Sequence, residues 1–195
     1  MALSSAPASR VAVAPMWRLL LTTMLAGCST TPGWLVPGRS VPSERPAVVN
    51  PALDAALVDL LRFDAPLIGA AGVLALGDTA LLLDAREPAE YDVAHLPGAL
   101  RFPPSGGLPA WLDAVPRERP VVVYCSVGFR SERVARELSG AGCTEVYNLY
   151  GSIFDWVERG LPVVDSAGRP TDEIHTYNRR WGRLVTRDRF TKVYD

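Results

Sequence analysis

The chain predicts an α/β fold: a central parallel sheet with helices on both faces. Three observations predict it. The apolar runs Leu81–Leu83 and Val121–Tyr124 are short and unbroken, as strands buried on both faces are. Stretches of helical spacing lie between such runs, so β and α segments alternate as crossover units do. Asp84 and Cys125 stand just past the ends of those two runs, where open α/β sheets carry their sites.

The elements follow in order. Asn50-Pro51 opens a helix, a capping side chain followed by a proline at the first helical position. Leu53, Leu57, Leu60 and Leu61 recur on one face, which carries that helix to about Phe63 and docks it on the domain. Ala70 to Leu76 is a second short helix, closed by Gly77-Asp78. Leu81–Leu83 is a strand, Glu87–Tyr91 starts a helix, Pro97-Gly98 is a turn, and Ala99–Phe102 is a strand. Leu108–Val115 reads as a helix and Val121–Tyr124 as the strand that ends on Cys125. Ser131–Ser139 is helical, Glu145–Leu149 a strand and Ser152–Arg159 a helix. No internal repeat is present.

The front of the chain reads differently. Arg18 precedes the apolar stretch Leu19–Ala26, and small residues follow, which is the layout of a secretory signal peptide. Its apolar core is far short of the roughly 20 residues a bilayer-spanning helix needs. Leu25-Ala26-Gly27-Cys28 resembles the bacterial lipoprotein box, which implies cleavage before Cys28 and a lipid on that cysteine. Met16 lies close enough to serve as the true start. Ser29 resembles the pattern sorted to an outer membrane, so the expected place is a bacterial membrane, facing the periplasm or the cell exterior.

Pro32, Pro37, Pro42 and Pro46 follow, with few large apolar residues, and read as a stiffened tether. The expected organisation is a signal peptide over 1–27, a tether over 28–50 and an N-terminal helix over 51–66. The domain then spans 67–164 and a basic tail 165–195. The whole chain carries 20 basic and 21 acidic residues, so no basic excess argues for nucleic acid.

Cys125 is the candidate nucleophile. A cysteine between a buried strand and a helix start faces the unpaired N–H groups of the first turn and the positive end of the dipole. Arg130 adds a permanent cation, and such surroundings favour the thiolate. Ser126, Val127, Gly128, Phe129 and Arg130 form the expected cradle, turning backbone N–H groups toward an anionic sulfur. Gly128 lets the chain turn with positive φ. Arg130 has two roles open to it, pairing with substrate or tying the loop to an acidic neighbour. Phe129 sets an apolar side chain in the loop where a charged one would grip an anion. Cys143 reads as a small buried hydrophobe, or as a resolving thiol if the fold brings it near Cys125. With two histidines and three cysteines no metal-ligand spacing exists, and the chemistry requires no organic cofactor.

Two blocks carry a family resemblance. In the first, Asp84-Ala-Arg86 ends a strand, Glu90-Tyr91 follows, and His95-Leu-Pro97-Gly98-Ala99 makes a turn. The second is the Cys125 loop with its helix, then Val146 through Gly151 to Trp156. Together they resemble single-domain rhodaneses, which are sulfurtransferases, over about Leu67 to Val164. Ala94 stands where the family usually has Gly, and Tyr150 precedes a single Gly151 where a Gly pair is common.

The resemblance implies a Cys125 persulfide, loaded from a thiosulfate-, persulfide- or polysulfide-like donor. A thiol, or cyanide in an assay, would accept the sulfur. Asp84 and Arg86 are the family's strand-end pair, Asp84 expected to brace the loop and Arg86 to pair with Glu90. His95 belongs to the turn, whose family role is structural. His175 stands alone and outside the domain.

Two alternatives stay open. Phosphatases and arsenate reductases of related fold resemble Cys-x5-Arg, one residue longer than Cys125 to Arg130. A non-catalytic binding module of the fold usually lacks the nucleophile. In the tail, Asn178 can cap a short helix carrying Trp181 and Leu184 on the side of Tyr177. That tail packs over the domain, or its arginines bind a protein partner or an anionic surface.

Overall fold

A computed structural model describes residues 40–102 and 107–194; the signal peptide, Cys28 and Ser29 lie outside the described residues. The sheet is built around β4 (Val121–Tyr124), whose four residues are all buried, as their unbroken apolar run requires. β2 (Leu81–Asp84) and β5 (Val146–Leu149) flank it, and β3 (Leu100–Arg101) and β1 (Leu67–Ile68) form the edges. All five strands run parallel in the order β1-β5-β4-β2-β3. Leu83 pairs with Val123 and Val123 with Asn148, so the strands end level and their loops gather at one edge.

The two faces of the sheet have separate cores. Leu81, Leu83, Val121 and Val123 pack with Val134, Ala135 and Leu138 of α4 (Phe129–Gly140). Val122, Tyr124 and Leu149 pack with Leu53 and Leu57 of α1 (Pro51–Leu60) and with Ile153 and Phe154 of α5 (Ser152–Glu158). Two further helices, α2 (Ala70–Leu76) and α3 (Pro88–Val93), complete the layers. Helices thus lie on both faces of a parallel sheet, as the apolar patterning predicts.

The departures have physical reasons. α1 is capped by Asn50, whose side chain accepts from the Ala52 N–H at 2.9 Å, but it stops at Leu60 rather than Phe63. Phe63 has φ +61°, and the Arg62 and Phe63 N–H groups donate to the buried Glu132 at 3.0 and 2.6 Å. Residues 110–114 form a 3-10 helix instead of an α-helix, bracketed by Pro109 and Pro116. β1 is two residues long, too short to carry a periodic signal.

The tail forms β6 (Glu173–His175), α6 (Arg179–Gly182) and β7 (Thr191–Val193), with β6 and β7 paired in parallel. Asn178 caps α6, accepting from the Trp181 N–H at 3.1 Å. Ile174, Val185 and Phe190 join the core that contains α5. The buried Glu158 accepts from the Thr186 hydroxyl and the Arg187 N–H at 2.7 and 2.9 Å. The expected tether is also held down over its last residues. Val49 N–H donates to the buried Asp155 at 2.8 Å, and Arg45 reaches Asp54 and the Tyr150 hydroxyl, both at 3.1 Å.

Arg86 does not pair with Glu90. It precedes α3, so the four-residue spacing never becomes one helical turn. Its partner is Asp84, at 2.6 Å from Nη2 and 2.9 Å from Nε, with both side chains fully buried. The guanidinium also donates to the Ala94 carbonyl and lies 5.8 Å from the centre of the Tyr124 ring. Removing one partner of such a pair leaves a buried charge uncompensated. Arg86→Met is therefore expected to cost about 3–5 kcal/mol in urea unfolding. The double variant with Asp84→Leu should recover much of that loss.

Candidate active site

Cys125 follows β4 directly, and α4 starts four residues later with Gly128 as its N-cap at φ +102°. The thiol therefore sits under the first turn of a twelve-residue helix, and the Gly128 N–H donates to Sγ at 3.1 Å. Burial pushes the thiol up. The Arg130 guanidinium pulls it down, as do donors from Ser131 and the Val127 N–H, so Cys125 lies below the ordinary cysteine value. Within the loop, the Gly128 N–H is thus the donor aimed at the sulfur, with the Val127 N–H beside it.

Glu90 holds that loop closed. It is 2% exposed, and the Arg130 guanidinium forks onto its two oxygens at 2.5 and 2.7 Å. The Ser126 hydroxyl donates to the same carboxylate at 3.0 Å, and the Glu87 N–H at 3.0 Å completes it. Both ends of the loop hang on one side chain. Of the two roles open to Arg130, this geometry is the tie to an acidic neighbour. Asp84 is taken up by Arg86, accepting from its backbone N–H at 3.0 Å and from its guanidinium at 2.6 Å, and so braces the end of β2 next to the Cys125 strand.

Other supports were missed in the sequence. Asn148 is buried in β5; its amide donates to the Gly128 carbonyl at 3.1 Å and its oxygen accepts from Ser131 at 2.7 Å. A lone amide in an apolar strand is the signal that could have found it. Ser152, at φ +49°, accepts from the Cys125 N–H at 3.2 Å. His95 bonds through Nδ1 to the Tyr91 carbonyl at 2.9 Å and stacks on the Tyr91 ring 3.7 Å away, facing its own turn.

Cys143 is buried before β5, at the opposite end of the sheet. Val121 pairs with Val146, so Cys125 lies four residues past that pair and Cys143 three before it. The resolving role is therefore corrected: a separation on the order of 20 Å at roughly 3.3 Å per strand residue excludes a direct disulfide.

Cys125 opens onto a cavity of about 480 Å³. Leu60, Val127 and Phe129 line it, with Glu87 and Arg130 at its polar side and Tyr177 and Trp181 from the tail. Neither the tail nor Leu60 was expected there.

Comparison with known proteins agrees with this geometry. A family profile described as a rhodanese-like domain matches residues 72–159. A protein named sulfurtransferase from Allochromatium vinosum is 39% identical over 95 residues, covering 48% of this chain and 88% of that protein. The chain belongs to the rhodanese-like family. A thiosulfate sulfurtransferase of Tolumonas auensis is 33% identical over 75 residues, 38% of this chain and 70% of its own length. A protein from Bacillus halodurans shares the fold, with a TM-score of 0.50 at 16% identity, covering 67% of this chain and 98% of that one.

The family segment holds Glu90, Cys125 and Arg130, whereas Leu60, Tyr177 and Trp181 lie outside it. The departure from the rhodanese pattern at Tyr150 has a use. Its hydroxyl donates to Asp54 at 2.6 Å and accepts from Arg45, docking α1 and the chain before it. Gly151 alone keeps the turn, at φ +79°, where a Cβ would fall 2.5 Å from Asp155.

Glu90 makes a pH prediction. Burial alone would push its carboxyl up, but the Arg130 bonds and charge outweigh this and bring it down to about 2. A folded pKa below the unfolded one gives stability that is present above about pH 4.5 and lost as pH falls through about 2. The difference is worth about 3 kcal/mol at neutral pH. Glu90→Gln is expected to be less stable at pH 7 in denaturant titrations. Its stability should change less than the parent's between those two pH values.

Proposed function

We propose that the chain is a sulfurtransferase that carries sulfur on Cys125. The observation that carries this reading is the sulfur itself: a thiol with a lowered pKa, under a helix N-terminus, at the floor of an open cavity. The Cys125 thiolate attacks the outer sulfur of a donor, and the bond from that sulfur to the rest of the donor breaks. The donor remainder leaves with the electron pair. Cys125 then bears a persulfide, whose terminal sulfur takes up the N–H groups of the loop. An acceptor thiolate attacks that terminal sulfur, and Cys125 leaves as the thiolate. The two half-reactions are a covalent ping-pong cycle.

The loop argues against the phosphatase alternative. Arg130 is spent on Glu90, so it does not wrap an oxyanion, and four residues rather than five separate it from Cys125. The sulfurtransferase names of two relatives support the same reaction class. A non-catalytic module would have no use for a lowered thiol facing a cavity.

We also propose that the protein is lipid-anchored through Cys28 and works outside the cytoplasm, on the strength of Leu25–Cys28 and Ser29. A metabolically supplied palmitate analogue should label the parent chain and not Cys28→Ala. Label on both would end the anchor reading without touching the chemistry.

For the chemistry, the full chain is offered thiosulfate, an organic persulfide and a phosphoester in separate assays, followed by mass spectrometry of the intact protein. One added sulfur should map to Cys125 with a sulfur donor, and Cys125→Ser should load none. No loading from any sulfur donor, or turnover that survives the substitution, overturns the proposal.

A further inference from the structure

We infer that the C-terminal arm sets the donor specificity of Cys125, and that the donor is a low-molecular-weight organic persulfide with an aromatic substituent rather than inorganic thiosulfate. This rests on the sulfurtransferase reading above. Three observations carry it.

The first is the composition of the wall. Leu60, Val127, Phe129, Tyr177 and Trp181 face the cavity above the sulfur, three of them aromatic. A volume near 480 Å³ is that of a site for an organic molecule and far exceeds what a five-atom inorganic anion fills. Aromatic walls favour a ring through area and edge contacts.

The second is charge. Among the described residues lining the cavity, Arg130 is the one cation, and both of its terminal nitrogens bond to Glu90. Glu87 adds a carboxylate at the same wall. A doubly negative donor would meet a neutralised pair and an acid. An uncharged substituent meets a surface it can leave water for.

The third is how Tyr177 is held. Its φ is +64°, and the Asn178 N–H donates to the Thr176 carbonyl at 2.7 Å, a γ-turn of the strained kind. The Tyr177 N–H donates to His175 Nδ1 at 3.2 Å, Thr176 is tied to Val193, and Asn178 caps α6. The surroundings thus over-determine a strained residue that is itself 51% exposed. What the strain achieves is to aim the Tyr177 ring at the Cys125 cavity, which Trp181 of α6 also lines.

The step balances without an oxidant. Cys125-S⁻ and R-S-SH give Cys125-S-SH and R-S⁻; one S–S bond forms, one breaks, and the proton stays on the transferred sulfur.

The test compares benzyl persulfide, methyl persulfide and thiosulfate on the full chain, by initial rates and by mass spectrometry of Cys125. Benzyl persulfide should show a kcat/KM roughly tenfold or more above methyl persulfide. Tyr177→Ala and Trp181→Ala should each lower that ratio about threefold or more, through KM. Tyr177→Phe should hold it within about twofold. If Trp181→Ala fails to fold, the half-exposed Tyr177 decides.

Loading from methyl persulfide or thiosulfate at rates equal to benzyl persulfide overturns the inference and leaves sulfur transfer standing. So does a ratio that neither alanine variant moves. Loading from no donor removes the sulfurtransferase reading, and this inference with it.

Discussion

The loop depends on one buried carboxylate. Glu90 accepts from Ser126 and from both terminal nitrogens of Arg130, and so pins the first residue after Cys125 and the second residue of α4 to the same point. Between those pins sits Gly128, at φ +102°, whose N–H turns inward to the sulfur. The fork also fixes where the charge of Arg130 sits, near enough to lower the thiol yet already balanced by Glu90. A free arginine at this position would attract any anion; a paired one stabilises the thiolate without advertising a site for oxyanions. The same pair makes burial of Glu90 tolerable, since four donors replace its hydration.

A second set of carboxylates does for the extensions what Glu90 does for the loop. Glu132, Asp155 and Glu158 are each nearly buried, and each accepts backbone N–H groups from a segment outside the sheet. Glu132 ends α1, Asp155 holds Val49, and Glu158 holds Thr186 and Arg187. Irregular segments cannot satisfy their own N–H groups, and a buried carboxylate satisfies two or three at once. That is how a tail with few regular elements becomes a wall of the cavity.

The parts of the fold legible in the sequence are those whose signal is local. β4 is a run of four buried apolar residues, and Asn50-Pro51 is a cap whose bond forms where the two side by side predict it. The Cys125 loop and the positive φ of Gly128 follow from a strand meeting a helix. What was hidden is non-local. Arg86 and Glu90 have the spacing of a helical pair, but α3 begins between them, and each finds its partner elsewhere, one two residues back and one forty residues on. β6 and β7 each span three residues and exist only because distant tail segments meet. The approach of Tyr177 and Trp181 to Cys125 has no sequence signature, because the polar groups that set it, Glu158 among them, look like ordinary surface residues on a helix.

A sulfur biased toward its thiolate is also a target for oxidation, and here placement takes the role that a second thiol plays elsewhere. Cys143, the other described cysteine, lies at the far end of the parallel strands and cannot condense with an oxidised Cys125. The thiol is 1% exposed, walled by the loop on one side and by the core on the other. What remains is the cavity. On the proposed reading, donor, acceptor and oxidant share the cavity that Cys125 lines among the described residues, so what selects one there bears on all three. A small polar oxidant gains nothing from Phe129, Tyr177 and Trp181, whereas an aromatic donor displaces the water that such an oxidant needs to approach. On the proposed reading, the arm that shapes the choice of donor also shapes how long the thiolate survives between turnovers, and a change at Tyr177 bears on both.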